Sequence, residues 1–182
     1  MFLNIIGPLL ILFAQQVTDV EVKFKTTDKG FQYINEPMPD GIQLMTLDGE
    51  KTILEINTPT LVQVWSMCCG GDALQWADQR YMEQRYSKKG LRVVSINFEN
   101  GLTRKKQQNS VREFMKSKDK PAEIYLDPMG WAYEDLKISG FPTYVLISQT
   151  GNIVLKTSGK SEEGIALLES EIENLLENMS NN

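Results

Sequence analysis

No histidine occurs anywhere in the 182-residue sequence, and its only cysteines, Cys68 and Cys69, are neighbours. The first absence removes Ser-His and Cys-His nucleophile pairs and the commonest zinc ligand sets. The second removes a disulfide framework and a zinc site of ordinary spacing. A bond between the two cysteines would itself be strained, because adjacent α-carbons lie ~3.8 Å apart, short of the usual span of a disulfide. Positive charge is also scarce: 19 Lys and Arg face 24 Asp and Glu, a net charge of −5, and no basic cluster is dense enough to follow a phosphate backbone. Nucleic acid is therefore not an expected partner. No internal repeat or low-complexity segment occurs, and the apolar run Phe2 to Phe13 falls short of the ~20 residues that a bilayer-spanning helix takes.

What is present is ordinary for one globular domain: 41% apolar and 24% charged residues in a chain long enough for a proper core. The Phe2–Phe13 run, the small Ala14 and polar Gln15-Gln16 have the pattern of a secretory signal peptide over residues 1–14, although no Lys or Arg precedes the apolar core. A buried N-terminal strand and a retained anchor are the alternatives. A cleaved signal places the mature chain in the periplasm or outside the cell, with no stable insertion in the membrane.

Val20, Val22 and Phe24 alternate with charged residues, and Phe31 and Tyr33 alternate again, which predicts a β-hairpin in an N-terminal extension over 15–41. The breaker run Glu36-Pro37-Met38-Pro39-Asp40-Gly41 marks its border. Gln43–Thr46 and Lys51–Leu54 around Asp48-Gly49 form a second hairpin. A buried strand from Thr60, a helix over Asp72–Tyr86 and a second strand over Leu91–Asn97 imply a parallel crossover unit. A helix over Thr103–Lys118, a short one over Trp131–Leu136, a hairpin from Pro142–Ile147 to Ile153–Lys156 and a last helix over Ser161–Leu176 complete the pattern. Residues 177–182 are expected to fray. The fold class is α/β: a mixed central sheet flanked by helices.

The chain is organised around Thr60-Leu61-Val62-Gln63-Val64-Trp65-Ser66-Met67-Cys68-Cys69-Gly70-Gly71-Asp72. A β-branched strand meets a helix there, and the amides at a helix start favour a thiolate. This run resembles the active-site strand, loop and helix of thioredoxin-like proteins. Among them it is most similar to the TlpA/ResA-type extracytoplasmic thiol–disulfide oxidoreductases, whose pattern is F-W-A-x-W-C-x-x-C. Aligned on Trp65, Cys69 falls on the nucleophilic cysteine, Asp72 on the resolving cysteine, and Cys68 replaces an aromatic. Gly140-Phe141-Pro142-Thr143 resembles the family's G-x-P-T segment, whose cis-proline faces the nucleophile. The likeness covers residues 42–176 as a thioredoxin-like domain. It implies catalytic positions at Cys69, Asp72 and Pro142, and binding positions at Trp65, Cys68, Gly70, Gly71, Phe141 and Thr143. It implies neither cofactor nor metal. Its partners are a protein or a low-molecular-weight thiol or disulfide.

The departures from the family pattern all weaken disulfide reduction. Asp72 cannot attack sulfur, and its charge opposes a nearby thiolate by ~1 kcal/mol in water or ~4 kcal/mol when partly buried. The helix dipole returns only ~0.3–1 kcal/mol. Gly70-Gly71 loosens the first turn, at ~1 kcal/mol per helical glycine. Gln63 stands where cytosolic thioredoxins carry a buried acid. Three functions follow in order of preference. The first is thiol–disulfide exchange through the single thiol of Cys69, slow or dependent on an external thiol. The second is a redox-inactive binding module that holds a polypeptide in a Trp65/Pro142 groove. The third is soft-metal binding by Met67, Cys68 and Cys69. Trp65 and Trp131 are otherwise expected in the scaffold and core.

Overall fold

The computed structural model describes residues 31–69, 76–116, 118–159 and 161–180. The expected signal segment, the Val20–Phe24 half of the first hairpin, and Gly70, Gly71 and Asp72 lie outside the described residues.

Eight strands form one sheet in the order β1-β8-β7-β4-β5-β6-β2-β3. Its centre is β4 (Thr60–Trp65), with every residue buried, as a largely apolar and β-branched run, interrupted by Gln63, suits a strand covered on both faces. It pairs in parallel with β5 (Arg92–Asn97) and antiparallel with β7 (Thr143–Ile147). The parallel pair is joined through α1 (Ala77–Tyr86) and a short 3-10 turn that closes at Gly90, whose φ of 107° suits glycine.

The period-2 alternation divides the core. Val62, Val64, Val94, Ile96, Val145 and Ile147 join Leu136 of α3 (Trp131–Asp135 with its C-cap Leu136) on one face. Leu61, Val93, Leu146 and Leu155 meet Met82 and Tyr86 of α1 and Leu168, Ile172 and Leu176 of α4 (Glu162–Ser180) on the other. A third cluster lies around Trp65, Trp76 and Leu126, with Val111 and Met115 of α2 (Arg104–Met115).

The β2–β3 hairpin (Gln43–Thr46, Lys51–Ile53) and the β7–β8 hairpin (β8, Asn152–Ser158) occur as expected. Four corrections follow. β6 (Ile124–Leu126), parallel to β5, is too short to carry a readable period. The strand β1 (Phe31–Pro37) pairs with β8 and runs through Glu36-Pro37, a proline that an edge strand tolerates. The last helix does not stop at Leu176: Met179 packs against the core and the Ser180 hydroxyl donates to the Leu176 carbonyl at 3.1 Å. Trp131 is 39% exposed and is not a core residue.

Candidate thiol site

β4 ends at Trp65, and the chain passes through Ser66 into a single 3-10 turn, Met67–Cys69, with both thiols exposed. The register pairs Trp65 with Asn97 and Val64 with Thr143. The cysteine turn, the residues after β5 and the Phe141–Pro142 segment therefore leave the sheet at one end. It is the carboxyl end of the parallel strands, where open α/β sheets bind ligands. The Phe141–Pro142 peptide is cis.

A buried network fixes this end. Gln107 donates to both the carbonyl and the Oδ1 of Asn97 at 3.0 Å, and Asn97 Nδ2 donates to Glu99 Oε1 at 2.8 Å. The Glu99 carboxylate in turn accepts the Met67 N–H at 2.5 Å and the Ser66 hydroxyl at 3.0 Å. Ser66 Oγ also lies 3.2 Å from Cys68 Sγ. Glu99 is the functional residue that the sequence reading missed. It stands two places past the end of the strand beside the cysteine strand, which is the signal that locates it.

Electrostatics at Cys69 oppose ionisation. Its thiol is held above the ordinary value of 9.0 by its hydrogen bond with Cys68, then by partial desolvation, then by the charges of Cys68 and Glu99. Gln63 is buried and donates to the Tyr144 hydroxyl at 3.4 Å, and burial pushes that phenol up. An amide and a protonated phenol thus face one another across β4 and β7.

Two of the binding positions face inward. Trp65 is fully buried, edge-on to Trp76 at 5.0 Å and stacked on Phe114 at 5.7 Å, so it cannot line a groove. Thr143 is equally buried, and its hydroxyl donates to the Gly140 carbonyl at 2.7 Å. Met67 is half-buried and packs against the Trp65 cluster. Among the described residues no three His, Cys, Asp or Glu side chains gather to hold a metal ion. What stands beside Pro142 is a half-buried aromatic group. Phe98 stacks on Tyr133 at 4.5 Å, and Phe141 lies 6.0 Å from Tyr133 and 6.3 Å from Phe98. The Pro142 carbonyl is taken by the Gly159 N–H at 2.8 Å, whereas no described residue bonds to the backbone of Phe141.

Solved structures share this architecture. A protein assigned as thiol:disulfide interchange protein DsbE from Chlorobium tepidum is 21% identical with a TM-score of 0.67, over 79% of this chain and 97% of its own. The exposed lipoprotein thioredoxin Etrx1 of Streptococcus pneumoniae is 18% identical with a TM-score of 0.59, over 74% and 99%. A thiol-disulfide oxidoreductase from Bacteroides fragilis is 22% identical with a TM-score of 0.55, over 74% and 98%. No family model matches the chain, and no curated protein matches it. The fold is thioredoxin-like.

Proposed function

We propose that this protein exchanges thiols and disulfides through the single nucleophile Cys69. The observation that carries the proposal is an exposed thiol at the carboxyl end of β4, on the sheet end that also holds the cis Phe141–Pro142 bond. The neighbours in structure, described as interchange proteins and oxidoreductases, support the same chemistry. The Cys69 thiolate attacks one sulfur of a substrate disulfide, forming a mixed disulfide and releasing the other sulfur as a thiolate. An external thiolate then attacks the substrate sulfur of that bond. It leaves joined to the substrate, and Cys69 departs as the thiolate. Asp72, at the position of the resolving cysteine, cannot supply that second attack, and Cys68 is too close to do so without strain. Because the Cys69 thiol is raised, little thiolate exists at neutral pH and the first step is slow.

The substrate is a protein or a low-molecular-weight disulfide. Phe98, Tyr133 and Phe141 give an apolar surface for it, and the backbone of Phe141, which no described residue bonds, offers an edge for an extended segment. The same surface serves the second reading, a redox-inactive holder of polypeptides, which the raised Cys69 thiol favours. In either case we place the mature protein outside the cytoplasm, beginning near Gln15. N-terminal sequencing of exported protein checks this, and intact Met1 in a cytosolic fraction would contradict it.

The two readings separate in a turnover assay with an aryl disulfide and a monothiol. Exchange requires a rate that rises with monothiol concentration and vanishes in Cys69→Ser. A rate that Cys69→Ser leaves unchanged favours the holder.

A further inference from the structure

Of the three tryptophans, Trp65 and Trp76 are fully buried, whereas Trp131 is 39% exposed and Met129 beside it in sequence is 48% exposed. Two large apolar side chains left at the surface cost free energy unless something covers them. Both line a cleft of about 300 Å³, together with the buried Leu44 and Met45. The cleft is built from the β2–β3 hairpin, the start of α2 and the chain between β6 and α3. It lies apart from the cysteine turn and shares no residue with it.

Its charge is of one sign. Lys51, Arg104 and Lys105 line it, and among the described residues no side chain makes an ion pair or hydrogen bond with any of their three cationic groups. Of the two acids on the adjoining turn, Asp48 is held by Arg112 at 2.6 Å, and Glu50 does not line the cleft. Arg104 and Lys105 open α2, where negative side chains are the stabilising choice; no acid stands in that first turn, and Thr103 gives no side-chain cap. Cations gathered at a helix start, in a chain of net charge −5, are a local cost that an anion would offset.

We propose that this cleft binds a small organic anion with an apolar body. The body covers Trp131, Met129 and Leu44, and the anionic head meets Lys51, Arg104 and Lys105, with the Arg104 guanidinium able to hold a carboxylate through two donors. The volume sits at the lower end of the ~300–1,000 Å³ range of small-molecule sites, which favours a compact ligand over a peptide.

Decanoate below its micelle concentration is the probe, and Trp131, the exposed indole, is the reporter. Added to the full chain, decanoate is expected to shift the tryptophan emission to the blue saturably, and decylammonium is not. Arg104→Gln with Lys105→Gln should raise the Kd for decanoate at least ~10-fold, and salt should weaken wild-type binding. Failure of decanoate to saturate overturns the proposal, as does equal binding of decylammonium, which would mean an apolar surface alone. If the double variant does not fold, the comparison of the two amphiphiles on wild type still decides.

Discussion

The backbone N–H of Met67 donates to Glu99 Oε1 at 2.5 Å, tying the turn that bears both thiols to a residue two places past the neighbouring strand. Hydrogen bonds to a charged group contribute ~1.5–3 kcal/mol and neutral ones ~0.5–1.5 kcal/mol. Glu99→Gln should therefore lower stability by about 1 kcal/mol in denaturant unfolding. The same change removes one of the charges that hold the Cys69 thiol up, so the pH midpoint of its alkylation should fall. A midpoint that rises or stays fixed would show that Glu99 does not act on the thiol.

Asp127 is fully buried, and its Oδ2 accepts the Tyr133 N–H at 2.9 Å. Burial pushes its carboxyl up to about 6, against the downward pull of the amides of Tyr133, Trp131, Gly130 and Ala132. A carboxyl raised in the folded state contributes stability at low pH that is lost as pH rises through the folded value. Between about pH 4 and about pH 7, wild type should lose roughly 2 kcal/mol relative to Asp127→Asn. Parallel pH profiles for the two proteins would refute this.

Trp65 packs between Trp76 and Phe114 and exposes nothing to a partner. Trp65→Ala should cost ~3–5 kcal/mol, as truncation of a buried aromatic does. Trp65→Phe should cost less than ~2 kcal/mol, because it also removes an indole N–H that has no partner among the described residues. Thermal unfolding of the pair checks the order. A cost for Trp65→Phe as large as that of Trp65→Ala would contradict the packing account.

The central strand was legible because an apolar, β-branched run, interrupted only at Gln63, leads to the break at Gly70-Gly71. The Asp48-Gly49 hairpin was legible because its turn places glycine at φ +92°, and the Gly140-Phe141-Pro142-Thr143 segment because it resembles the family's G-x-P-T. What stayed hidden was decided across the fold. Glu99 and Phe98 are unremarkable beside one another in sequence, and only the β4–β5 register sets them next to the cysteine turn and Tyr133. Gly130 is an example of the same kind. Its φ is +77°, and a Cβ there would meet the Phe98 ring at 3.2 Å. Trp65 and Thr143 were binding positions by resemblance, and both are buried because helices cover both faces of β4 and β7.

Asp72→Cys should restore a C-x-x-C pair with Cys69 first and remove a carboxylate from the motif. Reduction of an aryl disulfide, with a dithiol as reductant, is expected to exceed both wild type and Cys69→Ser by at least ~10-fold. Asp72→Asn, which removes the charge without adding a thiol, should not gain turnover. If wild type already matches Asp72→Cys, Cys68 is resolving the mixed disulfide despite the strain.

The most direct test is where a substrate sulfur ends up. Wild type, Cys68→Ser and Cys69→Ser are each treated with an aryl disulfide at about pH 8 and quenched with acid, and the adducts are mapped by peptide mass spectrometry. The account expects one adduct on Cys69 in wild type and in Cys68→Ser, and none at matching times in Cys69→Ser. An adduct on Cys68 in wild type, or equal labelling of Cys69→Ser, would contradict it.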